Sequence, residues 1–136
     1  ESYLRLRMDN LWAQINKQIV EVTDGATVGL IPIFETTKPE LKNFASYLQN
    51  LSIDLIVESN QMALVERERL EEILSEHGLS MAGIIDDGTY GEIGKLTKAD
   101  IVFLGSIDYA GIDRVVMVRG VRLEDSRIIA AARVRI

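Results

Sequence analysis

Residues 64–106 read LVERERLEEILSEHGLSMAGIIDDGTYGEIGKLTKADIVFLGS, and the changes of hydrophobic period within them set the fold class. A short apolar run from Gln61 to Val65 has strand character. Leu70, Ile73 and Leu74 then recur at helical spacing, with Glu68, Glu71, Glu72 and Glu76 on the opposite side. Gly78 is placed to follow that helix as its C′ residue, with Leu79 closing the cap by an apolar contact. Thr89 and Glu92 have the spacing of a capping box at the start of a short helix bearing Tyr90, Ile93 and Leu96. Ile101 to Tyr109 returns to strand character.

Upstream, Leu4, Met8, Leu11, Trp12, Ile15 and Ile19 follow one face of a helix over residues 1–22, and Thr23-Asp24-Gly25 ends it with turn chemistry. Thr27 to Phe34 is nearly continuous in apolar residues, as in a strand covered on both faces. Pro32 within it has no N–H to donate, which calls for an edge or a bulge. Residues 39–57 form a helix with Pro39 in its first turn and Leu41, Phe44, Ala45, Leu48, Leu55 and Ile56 on its buried stripe. Downstream, Ala110-Gly111 makes a tight turn. Val115, Met117, Val121 and Leu123 alternate inward on one strand. After the turn at Glu124-Asp125-Ser126, Ile128, Ala130, Ala132, Val134 and Ile136 alternate on the last.

The order αβαβααβββ predicts a single α/β (α+β) domain spanning 1–136. It has a mixed sheet of about five strands, about four helices packed on it, and a C-terminal antiparallel meander. Residues 27–136 form the core domain and 1–22 an N-terminal amphipathic helix, which is free either to join that core or to pack on a neighbouring copy.

Composition removes several functions. Among 136 residues there is no cysteine, so disulfides, thiolate metal sites and a cysteine nucleophile are excluded. His77 is the single histidine, so no triad or multi-histidine metal site can be built; near the end of a helix it suits a capping role. Net charge is −6, a poor balance for binding a nucleic-acid backbone. No apolar run approaches the ~20 residues of a membrane span. The chain opens at Glu1 without Met, so a missing signal peptide argues nothing about compartment. No catalytic, cofactor-binding or metal-binding residue is assigned.

Charge is unevenly spread. Residues 1–100 carry 9 Lys/Arg against 17 Asp/Glu, whereas 101–136 carry 6 Arg, no Lys and 4 Asp/Glu. Arg114, Arg122, Arg127, Arg133 and Arg135 alternate outward on the last two strands and make a candidate partner surface, since arginine favours interfaces and carboxylate recognition. Solvated strand faces also carry such residues, and outward arginines discourage edge-to-edge aggregation. Opposite patches further allow head-to-tail contact between copies.

Gly88, Gly91 and Gly94 stand at a helix start, where anions bind elsewhere. The spacing is not that of a dinucleotide fingerprint and follows a loop, so close packing of a short helix is the first reading. A small-molecule or glycan site at 88–94, with Asp86 or Asp87, is the alternative. Adjacent carboxylates point apart, however, and with Gly88 read as a solvated turn.

The stretch also resembles the CsgG family, named for the curli assembly/transport component of the bacterial outer membrane. The matching pieces are Val65-Glu66-Arg67, Leu70 to Leu74, Leu79-Ser80, Gly94-Lys95, Ala99-Asp100 and Gly105-Ser106. Val28 to Phe34 (VGLIPIF) resembles the family's first strand, V-A-V-L-P-F, and Arg122-Leu123 to Ala131 its strand–turn–strand. The resemblance implies a non-catalytic periplasmic domain. It would associate with the outer membrane through an anchor outside this chain and bind other cell-envelope proteins as an adaptor or ring subunit, with homo-oligomerisation an option. FlgO, the N-terminal domain of TolB and LpoB are similar in fold. Secretion-channel members insert a long hairpin after the Gly-Ser strand. Between Gly105 and Val115 only a few residues are left for the turn, whereas one barrel strand needs ~9–11 residues. A pore is therefore not expected.

Overall fold

The apolar run that begins at Thr27 does not form one strand. In the structure, a computed structural model describing residues 2–23, 27–60, 62–81 and 89–136, it divides into β1 (Val28–Leu30) and β2 (Ile33–Glu35). Both lie parallel to β4 (Ile101–Ala110), through Gly29↔Ile101 and then Ile33↔Leu104. The register slips by one residue between these pairs, and Pro32 occupies the slip, where its missing N–H breaks no ladder. The sheet thus has six strands where the sequence suggests about five.

β3 (Ala63–Val65) pairs parallel with β1 at one end of the sheet. β5 (Asp113–Arg122) and β6 (Ile128–Arg135) follow β4 as an antiparallel meander, giving the order β3-β1-β4-β5-β6 with β2 beside β4. Among the described residues four helices join the sheet: α1 (Ser2–Val22), α2 (Lys42–Ser59, entered through a 3₁₀ turn at Pro39–Leu41), α3 (Arg67–Glu76) and α4 (Tyr90–Thr97).

Helices cover the sheet unequally. α1 and α2 lie on one face, where Met8, Leu11, Trp12, Ile15 and Ile19 join Leu48, Leu55, Phe103, Val116 and Val118 in the larger core. α1 is therefore part of this domain's own core, not a helix awaiting a neighbouring copy. Trp12 meets Phe103 edge-to-face, with ring centroids 5.1 Å apart. α3 and α4 cover the other face at the parallel end, burying Leu30, Leu70, Leu74, Ile93, Val102, Val121 and Leu123 in a second core.

α1 also closes an edge of the sheet. The Gln18 side chain donates to Ala131 O and accepts from Ala131 N, each at 2.9 Å, and Arg7 donates to Arg135 O at 2.9 Å. These groups belong to the outer edge of β6, which would otherwise offer unpaired donors and acceptors to another strand.

α3 ends as its sequence requires. Gly78 adopts φ +70, Leu79 N–H donates to Leu74 O at 2.7 Å and Gly78 N–H to Ser75 O at 3.2 Å, completing a Schellman motif. The His77 ring reaches Ile73 O at 3.0 Å. At α4 the capping box is not formed. Thr89 has φ −77 and ψ 41 and makes no side-chain cap bond, because an N-cap oxygen turns toward the free N–H groups only from extended backbone. The expected residues Asp24, Gly25, Gln61, Asp86, Asp87 and Gly88 lie outside the described residues.

Candidate partner surface

The phase of β5 decides which residues face outward. Sequence alternation predicts burial of Val115 and Met117; instead Val116, Val118 and Gly120 are buried toward α1 and α2, and Met117 is 42% exposed. Val121 and Leu123 are buried, but under α3 and α4. The cause is the two-sided cover. Among the described residues α1 and α2 roof one face, whereas α3 and α4 cover the other at the parallel end, so the apolar residues of β5 change faces along the strand. Ile128, expected inward on β6, is 55% exposed, because the register shift opposite Gly120/Val121 places an extra residue beside it.

Cross-strand partners share a face. Ser106↔Met117 between β4 and β5, and Arg119↔Ala131 and Met117↔Arg133 between β5 and β6, define a sheet surface that no described element covers, bordered by Leu104, which lies opposite Arg119 and packs against the second core. Val115↔Arg135 continues it toward the hairpin end.

Of the five arginines singled out, only Arg133 and Arg135 share this surface. Arg114 points to the helix side, its guanidinium 4.1 Å over the ring of the half-buried Phe44. Arg122, beside the other end of α1, makes a two-point contact with Asp125 at 2.7 and 3.0 Å. Arg127 sits in the β5–β6 turn, 3.6 Å from the same carboxylate. The Arg122 hydrogen bonds, and after them the Arg127 N–H and the charges of both arginines, hold the Asp125 carboxyl at about 2, below its ordinary 3.8.

Arg119 was missed. The inward phase assigned to Met117 and Val121 placed Arg119 inside with them. A charged residue in phase with Met117 was itself the signal that this phase faces water.

Other sites are less developed. The glycine-bearing helix α4 borders a cleft of about 640 Å³ that also meets Thr23, Lys95 and Arg122. Gly94 is there for packing, since a Cβ would stand 2.9 Å from the Leu123 Cβ. Among the described residues no group of three or more acidic or histidine side chains could hold a metal ion, and no helix is long and apolar enough to cross a membrane. The β4–β5 hairpin closes on two residues, Gly111 and Ile112, between Ala110↔Asp113, with Gly111 alone at positive φ (+66). This is the two-residue hairpin with glycine first, and it leaves no inserted segment at that connection.

The sequence profile of the curli production assembly/transport component CsgG matches residues 37–111, from the entry to α2 through the hairpin turn. The chain belongs to the CsgG family. Solved structures share the CsgG-family fold seen here. The LpoB C-terminal domain from Salmonella enterica is 15% identical, with a TM-score of 0.69, 95% of this chain and 97% of that one being covered. The LpoB C-terminal domain from Escherichia coli is 14% identical with a TM-score of 0.68, covering 91% and 96%. Lipoprotein GNA1162 from Neisseria meningitidis is 14% identical with a TM-score of 0.62, covering 82% and 80%. No curated protein sequence matches the chain.

Proposed function

We propose that this chain is a non-catalytic binding module of a bacterial cell-envelope assembly, an adaptor or ring subunit at the outer membrane and not itself a pore. Membership of the CsgG family over residues 37–111 carries the reading. The likeness in fold to a Neisseria lipoprotein supports it. The two-residue turn at Gly111-Ile112 narrows it, because the channel members' hairpin insertion has no room there. Periplasmic placement through an anchor outside this chain follows from the same reading, as does a partner surface among the C-terminal arginines.

The experiment is capture of crosslinked envelope proteins on the purified chain, with its own mass measured by light scattering. A defined envelope partner or a stable oligomer is expected. A strict monomer that captures no envelope protein overturns the reading.

One observation favours a second reading, a small-molecule or glycan site: the cleft beside α4 with Lys95 and Arg122 at its walls. Thermal-shift measurements with sugars, nucleotides and peptidoglycan fragments test it. Gly91→Val is the matching control, because a Cβ at Gly91 meets nothing closer than 3.9 Å. A stabilising ligand whose effect this variant abolishes would establish the site.

A further inference from the structure

Arginine pairing in this chain is nearly complete, and its two exceptions are neighbours. Arg5 pairs with Glu58, Arg67 with Glu71, Arg69 with Glu72, Arg122 and Arg127 with Asp125, and Arg135 with Asp113. Arg7 is held by Arg135 O and Arg114 by the Phe44 ring. Among the described residues Arg119 and Arg133 have no such partner, although the chain carries a net charge of −6.

Both arginines are exposed, and both flank the exposed Met117 on the uncovered half of the sheet. Arg133 lies opposite Met117, and Arg119 is two residues further along β5. The two are therefore diagonal neighbours, about 7–8 Å apart at the backbone. Two like charges at that spacing repel, and neither forms an ion pair among the described residues: the carboxylates that share the face by register, Glu35 opposite Ser106 and Asp108 opposite Val115, stand apart from both. Arginine and methionine are also residues that interfaces gather.

We propose that this face, Arg119 and Arg133 around Met117, docks an acidic segment of another envelope protein, its carboxylates taken by the two guanidinium groups and an apolar side chain by Met117. Spacing fits such a segment, since alternate side chains of an extended chain stand about 7 Å apart on one face. Size fits it as well. Three strands by about four residues of rise give a patch roughly 14 Å on a side, far short of the ~800 Å² per partner of a standard interface. That rules against a second copy of the chain as the occupant. The inference rests on the reading of the chain as an envelope binding module.

The first arm of the test titrates the chain with a synthetic peptide bearing Glu at alternate positions, and with its Gln counterpart. The Glu peptide is expected to shift the amide resonances of residues 117–119 and 131–133. Its affinity should fall with added salt and should be roughly tenfold or more weaker in R119E/R133E. Equal binding of the Gln peptide, or no effect of the double reversal, overturns the proposal. Both positions are exposed, so the variant should melt like the parent, and a melting curve verifies this.

The second arm compares envelope proteins captured by wild type and by R119E/R133E. Loss of the wild-type partner supports the proposal. Equal capture sinks the docking face and leaves the module reading intact, whereas no capture by wild type sinks both. Self-association of the purified chain that the reversal abolishes also overturns it, the occupant then being a second copy.

Discussion

Phe34 on β2 lies across the backbone of Gly105 on β4, so closely that a Cβ at Gly105 would stand 2.6 Å from the ring's Cδ2. The two residues end separate pieces of the family pattern, the first strand and the Gly-Ser strand. The fold joins those pieces in one contact. Phe34 is buried among α1, α2 and sheet residues, so its ring has little room to withdraw. Gly105→Ala is expected to cost about 1–3 kcal/mol through overpacking. Urea denaturation measures this. Phe34→Leu in the same chain should relieve part of the cost, so the double variant should be less destabilised than the sum of the two singles.

Much of this architecture was legible because local chemistry and tertiary structure agree. The Schellman stop at Gly78 and Leu79, the Pro32 bulge and the buried stripe of α1 each follow from residues whose demands do not depend on distant partners. The phase of β5 was not legible in the same way. Val115, Met117, Val121 and Leu123 alternate as well as Val116 and Val118 do, and only the placement of α3 and α4 over half a face decides between them. The candidate surface suffered the same error. Arg119 belongs with Arg133, and the wrong phase hid it. Arg114 and Arg122 point to the helix side, where stacking on Phe44 and pairing with Asp125 occupy them.

Gln18 tests the closure of the β6 edge. Its side chain makes both bonds to Ala131, and each such bond is worth about 0.5–1.5 kcal/mol net. Gln18→Ala is expected to destabilise the domain by about 1–2 kcal/mol and to accelerate hydrogen exchange at the Ala131 amide beyond the change at interior β5 amides. Unchanged exchange at Ala131 would mean that packing of α1, not the amide pair, protects this edge. Gln18→Glu should behave differently from Ala, since it keeps the acceptor for Ala131 N–H but loses the donor to Ala131 O.

Trp12 is the only tryptophan, so its fluorescence reports on α1 alone. It is 6% exposed and packed on Phe103. We expect emission typical of a buried indole and a fluorescence unfolding transition that coincides with the loss of backbone circular dichroism, as in a single cooperative unit. A fluorescence transition at lower denaturant would instead make α1 a separately docked element. Trp12→Ala is expected to cost about 3–5 kcal/mol, a large share of the stability of a domain this size. A loss below about 1 kcal/mol would contradict the packing described for this helix.

Asp125 gives the pH prediction. Its carboxyl is held at about 2, below the ordinary 3.8, chiefly by the hydrogen bonds from Arg122, with the Arg127 N–H and the charges of both arginines adding to them. A carboxyl whose folded value is depressed contributes stability that is fully present above the unfolded value and is lost as pH falls through the folded one. The β5–β6 turn should therefore hold its geometry down to pH 3.8 and loosen between there and about 2. Carboxyl carbon resonances followed from pH 5 to 1.5 should place the Asp125 inflection near the lower limit. The Arg127 amide should shift in step, because its N–H donates to the same carboxylate at 3.2 Å. Asp125→Asn keeps an acceptor for that N–H but removes the charge that holds Arg122, so the pH response of the turn should vanish while the strands on either side persist. An inflection near 3.8 in the folded chain would show that the Arg122 contact does not persist in solution.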